Sequence, residues 1–350
     1  MTLSNAQLAM IERARSVGGG EQGVALSDEA CAYLVATIAR DLGSSAIPVP
    51  SDLPPFFSRV HPSLLVLKGR DFRRDLAELL KNIPDADTYF VCLAKLHKSR
   101  LKYQRILETQ PIPTMDQVGP RGLLQYGHLG PAALVGLLLW RKWFFDLDNR
   151  AGQESGYLFE PIIASAIGGV SAGAGKSPVR RHTDRAKGRQ VDCIKDRRAY
   201  ELKLRVTIAA SGQGRWREEL DFPKDCLESG FEPVLVVLDP TANTKLSQLI
   251  KAFQNAGGET YVGEEAWRHL EGQAGATMTR FLENYVRKPL NDLIASRSDS
   301  LPPLQATAFA DRIEISVANE TLDISRPPGA AEPESADLLA EDVDEEAGGP

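Results

Sequence analysis

An unbroken apolar row, Val234-Leu235-Val236-Val237-Leu238, follows Pro233 and stops at Asp239-Pro240. Side chains alternate faces along a strand, so a strand that is apolar at every position needs a layer of structure on each side. This run therefore predicts a central strand sandwiched between helices, an α/β core. The flanking sequence fits. Ser155–Ile167 reads as a helix. Gln190–Lys195 and Arg198–Thr207 read as strands joined by a turn at Asp196-Arg197. Thr244–Asn255 reads as a helix closed by Gly257-Gly258, Thr260–Val262 as a short strand and Ala276–Ser296 as a helix.

The rest of the 350 residues divides by pattern. Residues 1–150 read as mostly helical. Ser4–Val17 and Ser27–Leu42 each open on a serine suited to capping, Asp71–Lys81 and Asp85–Thr109 show apolar residues at three and four, and Pro131–Asp148 is apolar enough to predict a buried helix. Residues 151–300 hold the α/β core, and 301–330 a terminal hairpin around Asn319. Residues 331–350 carry eight acidic side chains and no basic one, the composition of a disordered tail. That tail masks an asymmetry within the net charge of -6, because Lys176–Arg217 holds thirteen Lys and Arg against four Asp and Glu. Such a basic stretch is either a solvated face or a surface for a polyanion. Four scattered cysteines with no C-x-x-C pair argue against a zinc ribbon or a disulfide framework. The absence of a leader pattern or a long apolar span predicts a cytoplasmic protein with no membrane contact.

Within Arg198–Thr207 the alternation is clean. Tyr200, Leu202, Leu204 and Val206 share one face, and Glu201, Lys203, Arg205 and Thr207 the other. A tight turn to the preceding strand brings Asp192 toward Glu201. Two carboxylates beside a lysine suit Mg²⁺, which binds through one or two carboxylates, keeps several waters and accepts a phosphate oxygen. The ion would acidify a water, the lysine would orient or deprotonate it, and surrounding cations would hold a phosphodiester backbone. A plain cross-strand salt bridge has the same residues, so the triplet alone is weak.

Asp192, Glu201, Leu202 and Lys203, at D-x8-E-x-K spacing, resemble the PD-(D/E)xK nuclease superfamily, with Val191 in place of its frequent proline. Gly156-Tyr157-Leu158-Phe159-Glu160 resembles the helix that precedes its first core strand. The resemblance implies a restriction-endonuclease-like core, a mixed central sheet flanked by helices, with Ser177–His182 as the first strand. It also implies that Asp192, Glu201, the Leu202 carbonyl and Glu160 bind Mg²⁺ and that Lys203 is catalytic. The segments Gly188–Asp192, Tyr200–Thr207 and Ala210–Trp216 are similar to type II restriction endonucleases of the ApaLI type. That likeness implies double-strand cleavage of DNA at a palindromic hexanucleotide such as GTGCAC, by a homodimer whose two-fold axis matches that of the site.

Arg180, Arg181, His182, Arg185, Lys187 and Arg205 are candidate phosphate contacts. Gln213 and Arg215 are candidate base readers, since Gln pairs with adenine and Arg with guanine in the major groove. Gly173-Ala174-Gly175-Lys176-Ser177 lacks the first glycine of a phosphate loop, Val170 standing there, so no nucleotide cofactor is expected. Two other functions fit the same residues: a repair or recombination nuclease without sequence preference, and a non-catalytic DNA-binding protein on a decayed nuclease core.

Overall fold

The computed structural model describes residues 3–17, 23–205, 213–296 and 300–327. A five-stranded mixed sheet lies at its centre, in the order β1 (Val170–Ala172), β4 (Val191–Lys195), β5 (Arg198–Lys203), β6 (Glu232–Val237), β7 (Glu259–Val262). The β1–β4 and β4–β5 pairs are antiparallel, and β5–β6 and β6–β7 are parallel. The strand buried on both faces is β6. Val234 and Val236 enter one hydrophobic cluster, and Leu235 and Val237 enter another.

The larger cluster joins this sheet face to the helices that precede it. It holds Ile11 of α1 (Asn5–Arg15), Tyr33 of α2 (Asp28–Asp41), Phe72 of α3 (Phe72–Leu79), Phe90 of α4 (Ala86–Thr109), Ile163 of α6 (Pro131–Ala166) and Phe281 of α9 (Glu264–Leu282). The helical region and the sheet thus share one core. The opposite sheet face is covered by α7 (Gln213–Glu228) and α8 (Thr244–Asn255) through Phe222, Cys226, Leu249 and Phe253. The predicted serine caps are present: Ser4 forms a reciprocal box with Gln7, and Ser27 accepts from the Ala30 amide at 3.1 Å.

Five sequence expectations are corrected. The helices expected at 131–148 and 155–167 are one helix of 36 residues, α6, continuous through Pro161 and through position 150. Its apolar first half is not buried: Leu134, Leu138, Trp143 and Leu147 are covered, but Leu137 is 43% and Phe145 59% exposed. α5 (Met115–Gly122) packs along its beginning through Val118, against Leu134 and Leu138. The first core strand is Val170–Ala172, not Ser177–His182. The chain turns at Gly168 (φ 77°) and runs at once beside β4, so closely that a Cβ on Gly169 would lie 2.2 Å from Cys193 Sγ. Arg180–Arg181 (β2) instead pairs with Asp184–Gly188 (β3) in a separate two-stranded ribbon. The C-terminal hairpin is a three-stranded antiparallel sheet, β8 (Leu304–Ala308), β9 (Arg312–Val317) and β10 (Glu320–Ser325), whose Ile313 and Ile324 pack with Trp143 and Leu147 of α6. The last strand of the motif, expected to reach Thr207, ends at Lys203; residues 206–212 and the acidic tail lie outside the described residues.

Candidate active site

β4 and β5 are joined by the expected two-residue turn, with Asp196 in the left-handed region (φ 54°) and Lys195 opposite Arg198. Their ladder stops at Cys193 opposite Tyr200. Beyond that pair the strands splay, and a side chain takes over: the Leu202 amide donates to Asp192 Oδ2 at 2.8 Å. On the other edge of β5 the amides of Glu232 and Leu238 donate to the carbonyls of Arg197 and Lys203. Carbonyls alternate direction along a strand, so that of Leu202 points to the edge β4 has left.

Lys203 Nζ donates to Glu201 Oε1 at 2.8 Å and stands 3.8 Å from Glu219 Oε1 on α7. All three side chains are largely covered. Burial alone would pull the Lys203 ammonium down, but Glu201, Glu219 and Asp192 outweigh it and hold the pKa above its ordinary value. Asp192 is pushed well up from the usual carboxylate range, first by burial and then by the charges of Glu201 and Glu160; Lys203 and the Leu202 amide oppose this. Glu160 therefore shares the field of the pair from α6. Its carboxylate lies over Gly156, where a Cβ would sit 3.5 Å from Oε1.

Two crowded carboxylates and a main-chain carbonyl facing an open strand edge form a hard oxygen donor set, and like charges forced together are what a cation relieves. The set fits Mg²⁺. Among the described residues no group of three or more His, Cys, Asp or Glu is placed to hold a metal ion, so the donor set is two carboxylates and a carbonyl. An open set leaves positions for water and phosphate.

The basic candidates divide. Arg180, Arg185 and Lys187 are exposed on the β2–β3 ribbon, with Arg185 pairing Glu228 at 2.7 Å and Lys187 pairing Asp184 at 3.3 Å. Arg205, also exposed, lies 3.3 Å from Asp239. Two face inward. Arg181 pairs with Glu218 at 2.7 Å, and His182 Nδ1 lies 2.6 Å from Oδ1 of Asp225. Asp225 is fully buried, and its other oxygen accepts from Arg189 Nε at 2.7 Å. Gln213 and Arg215 fall in the first turn of α7, but their side chains lie outside the described residues. Sequence reasoning missed Glu218, Glu219, Arg189 and Asp225. No spacing marks the acids, because their partners are between 16 and 43 residues away and set only by the fold.

The sequence model of the ApaLI-like restriction endonuclease family matches residues 68–287. The chain belongs to the ApaLI-like restriction endonuclease family. It is 52% identical over 258 residues to a type II restriction enzyme, ApaLI, of Acetobacter pasteurianus, covering 69% of each chain. No solved structure matches. The family match spans α3 to the π-helical turn Glu283–Arg287, so it includes the helices packed on the sheet as well as the motif strands. This membership makes the chain a nuclease of the restriction type, acting on DNA. No helix among the described residues is long and apolar enough to cross a membrane.

Proposed function

We propose that this ApaLI-like chain is a Mg²⁺-dependent type II restriction endonuclease that cuts both strands of duplex DNA at a short palindrome, GTGCAC being the expected sequence, as a homodimer. One observation supports the catalytic reading: where the β4–β5 ladder ends, Asp192 accepts from the Leu202 amide and, on the neighbouring strand, Glu201 accepts from Lys203 Nζ. In this reading Asp192, Glu201 and the Leu202 carbonyl hold the ion, and Glu160 supports the set from α6. When bound, the ion supplies charge neutralisation at the phosphate and acidifies a water. Lys203, held by Glu201, orients the attacking water by donating to its oxygen. The water oxygen bonds to phosphorus and gives up a proton to solvent, the bond to the leaving sugar oxygen breaks, and that oxygen takes up a proton from solvent water.

Arg180, Arg185, Lys187 and Arg205 are proposed to grip phosphates, and their exposure supports this. Arg181 and His182 serve from within, fixing the ribbon to α7, and Gln213 and Arg215 are proposed to read bases. Unmethylated phage DNA is incubated with wild type and Asp192→Ala, in Mg²⁺ or in EDTA. Discrete fragments that need Mg²⁺ and vanish in the variant are expected, and their ends give the site. A Mg²⁺-dependent smear would instead favour a nuclease without sequence preference. DNA left intact by wild type would refute the catalytic reading.

A further inference from the structure

Helix α5, the 3₁₀ turn Leu123–Gln125 and the first turns of α6 form a helical hairpin with a very small core, Val118, Leu134 and Leu138. The halves are closely joined. A Cβ on Gly122 would lie 2.8 Å from Leu138 Cδ1, and Arg141 Nη1 donates to Gln125 Oε1 at 2.8 Å. Around that core the hairpin turns apolar side chains outward: Leu123 (76% exposed), Leu124 (89%), Tyr126 (72%), Leu129 (45%), Leu137 (43%) and Phe145 (59%). A single exposed leucine needs no account, but six large apolar side chains between Leu123 and Phe145 do. They leave on the order of 800 Å² uncovered, about what each partner contributes to a standard protein–protein interface.

We infer that this α5–α6 hairpin is the interface through which a second copy of the chain docks. The inference rests on the homodimer reading of the preceding section and places its contact surface. The occupant follows from area and chemistry. An apolar face of this size offers nothing to phosphates. One chain holds one set of Asp192, Glu201 and Lys203, whereas a duplex has two strands to cut. A second copy meets both needs with one self-complementary patch, as a two-fold contact requires. The same helix connects contact and chemistry: Phe145 and Glu160 both lie on α6, about 22 Å apart along its axis. Docking two such helices therefore fixes the distance between the two catalytic centres.

The test uses the full chain, wild type and Leu124→Glu/Phe145→Glu, with Leu123→Ser/Tyr126→Ser as a milder pair. Sedimentation equilibrium is run with and without a GTGCAC duplex in EDTA, and supercoiled plasmid carrying one site is cut in Mg²⁺. Wild type is expected at the two-chain mass and to yield linear plasmid. The Glu pair is expected to weaken association at least ~100-fold, with unchanged circular dichroism, and to accumulate nicked circles. The Ser pair falls between, and it decides the matter if the Glu pair does not fold. If the folded variants dimerise as tightly as wild type, the interface lies elsewhere and the homodimer reading survives. If wild type sediments as one chain with and without duplex, the homodimer reading fails and this inference with it.

Discussion

Asp225 should be among the most costly single residues to remove outside the catalytic set. Its side chain is completely buried. Oδ1 accepts from the His182 amide at 2.7 Å and lies 2.6 Å from His182 Nδ1; Oδ2 accepts from Arg189 Nε at 2.7 Å and pairs with Nη2 at 2.5 Å. Arg189 is itself only 7% exposed, and its other anion, Glu218, stands 3.7 Å away on the surface side. Replacing Asp225 by Ala leaves a guanidinium buried without its counter-charge, a change that costs about 3–5 kcal/mol. That is a large share of the stability of an ordinary domain. Removing both charges in Asp225→Leu/Arg189→Leu should recover most of the loss, because the penalty lies in the uncompensated ion and not in the absent pair. Urea unfolding of both single variants and the double, with slopes compared, measures this. The staple also holds the ribbon that carries Arg180, Arg185 and Lys187, so Asp225→Asn should weaken DNA binding and flatten its salt dependence. The reasoning is refuted if Asp225→Ala costs less than ~1 kcal/mol, or if the double variant is as unstable as the single.

Other outcomes follow from the same geometry. Asp192→Asn should lower cleavage at least ~1000-fold yet raise stability in EDTA by about 1 kcal/mol, since it relieves a buried negative charge beside Glu201 and Glu160; thermal melts in EDTA and Mg²⁺ check this, with Mg²⁺ stabilising wild type and not the variant. Lys203→Ala should abolish cleavage while binding of duplex, read by fluorescence anisotropy, persists. All four cysteines are buried, and burial pushes the thiols of Cys31, Cys92 and Cys193 up to about 12. A thiol reagent should therefore modify none of the four in the native protein and all four in urea. His97 is buried, and burial followed by the Arg100 charge lowers its pKa to about 4. The unfolded chain then binds a proton that the folded one refuses, so stability present above pH 6.5 is lost as pH falls toward 4, by about 3 kcal/mol. Urea midpoints for wild type and His97→Gln across that window should converge at low pH.

What the sequence made legible is what short-range pattern controls. The double-faced burial of β6 is written in consecutive residues, and the β4–β5 hairpin in alternation broken at Asp196-Arg197. The site motif was readable because its members lie on that hairpin. Placement across the fold was not. Nothing in Val170–Ala172 distinguishes it from a loop except the neighbour it reaches after Gly168 and Gly169. Apolar character in the first half of α6 predicts burial, which Leu134, Leu138 and Trp143 meet and Leu137 and Phe145 do not, because composition does not say which elements pack against a helix. The acids of α7 gain meaning only when the ribbon folds over them and Lys203 comes within reach of Glu219.

The position of the site at a broken ladder has a physical logic. A carboxylate inside a regular antiparallel pair would leave the opposing backbone fully bonded and its carbonyls unavailable. Here the β4–β5 ladder ends at Cys193, and Asp192, just before it, satisfies the Leu202 amide. That bond both orients the carboxylate and frees the Leu202 carbonyl to face the same opening. β5 keeps its place because β6 continues to bind it, through Leu238 to the Lys203 carbonyl at 2.9 Å and Asp239 to that of Leu204 at 2.9 Å. The rigid parallel edge holds Glu201 and Lys203, while the splayed antiparallel edge gives access. One strand thus reconciles fixed geometry with an open coordination face, and the crowded negative charge that results is the stability cost that a bound cation would offset.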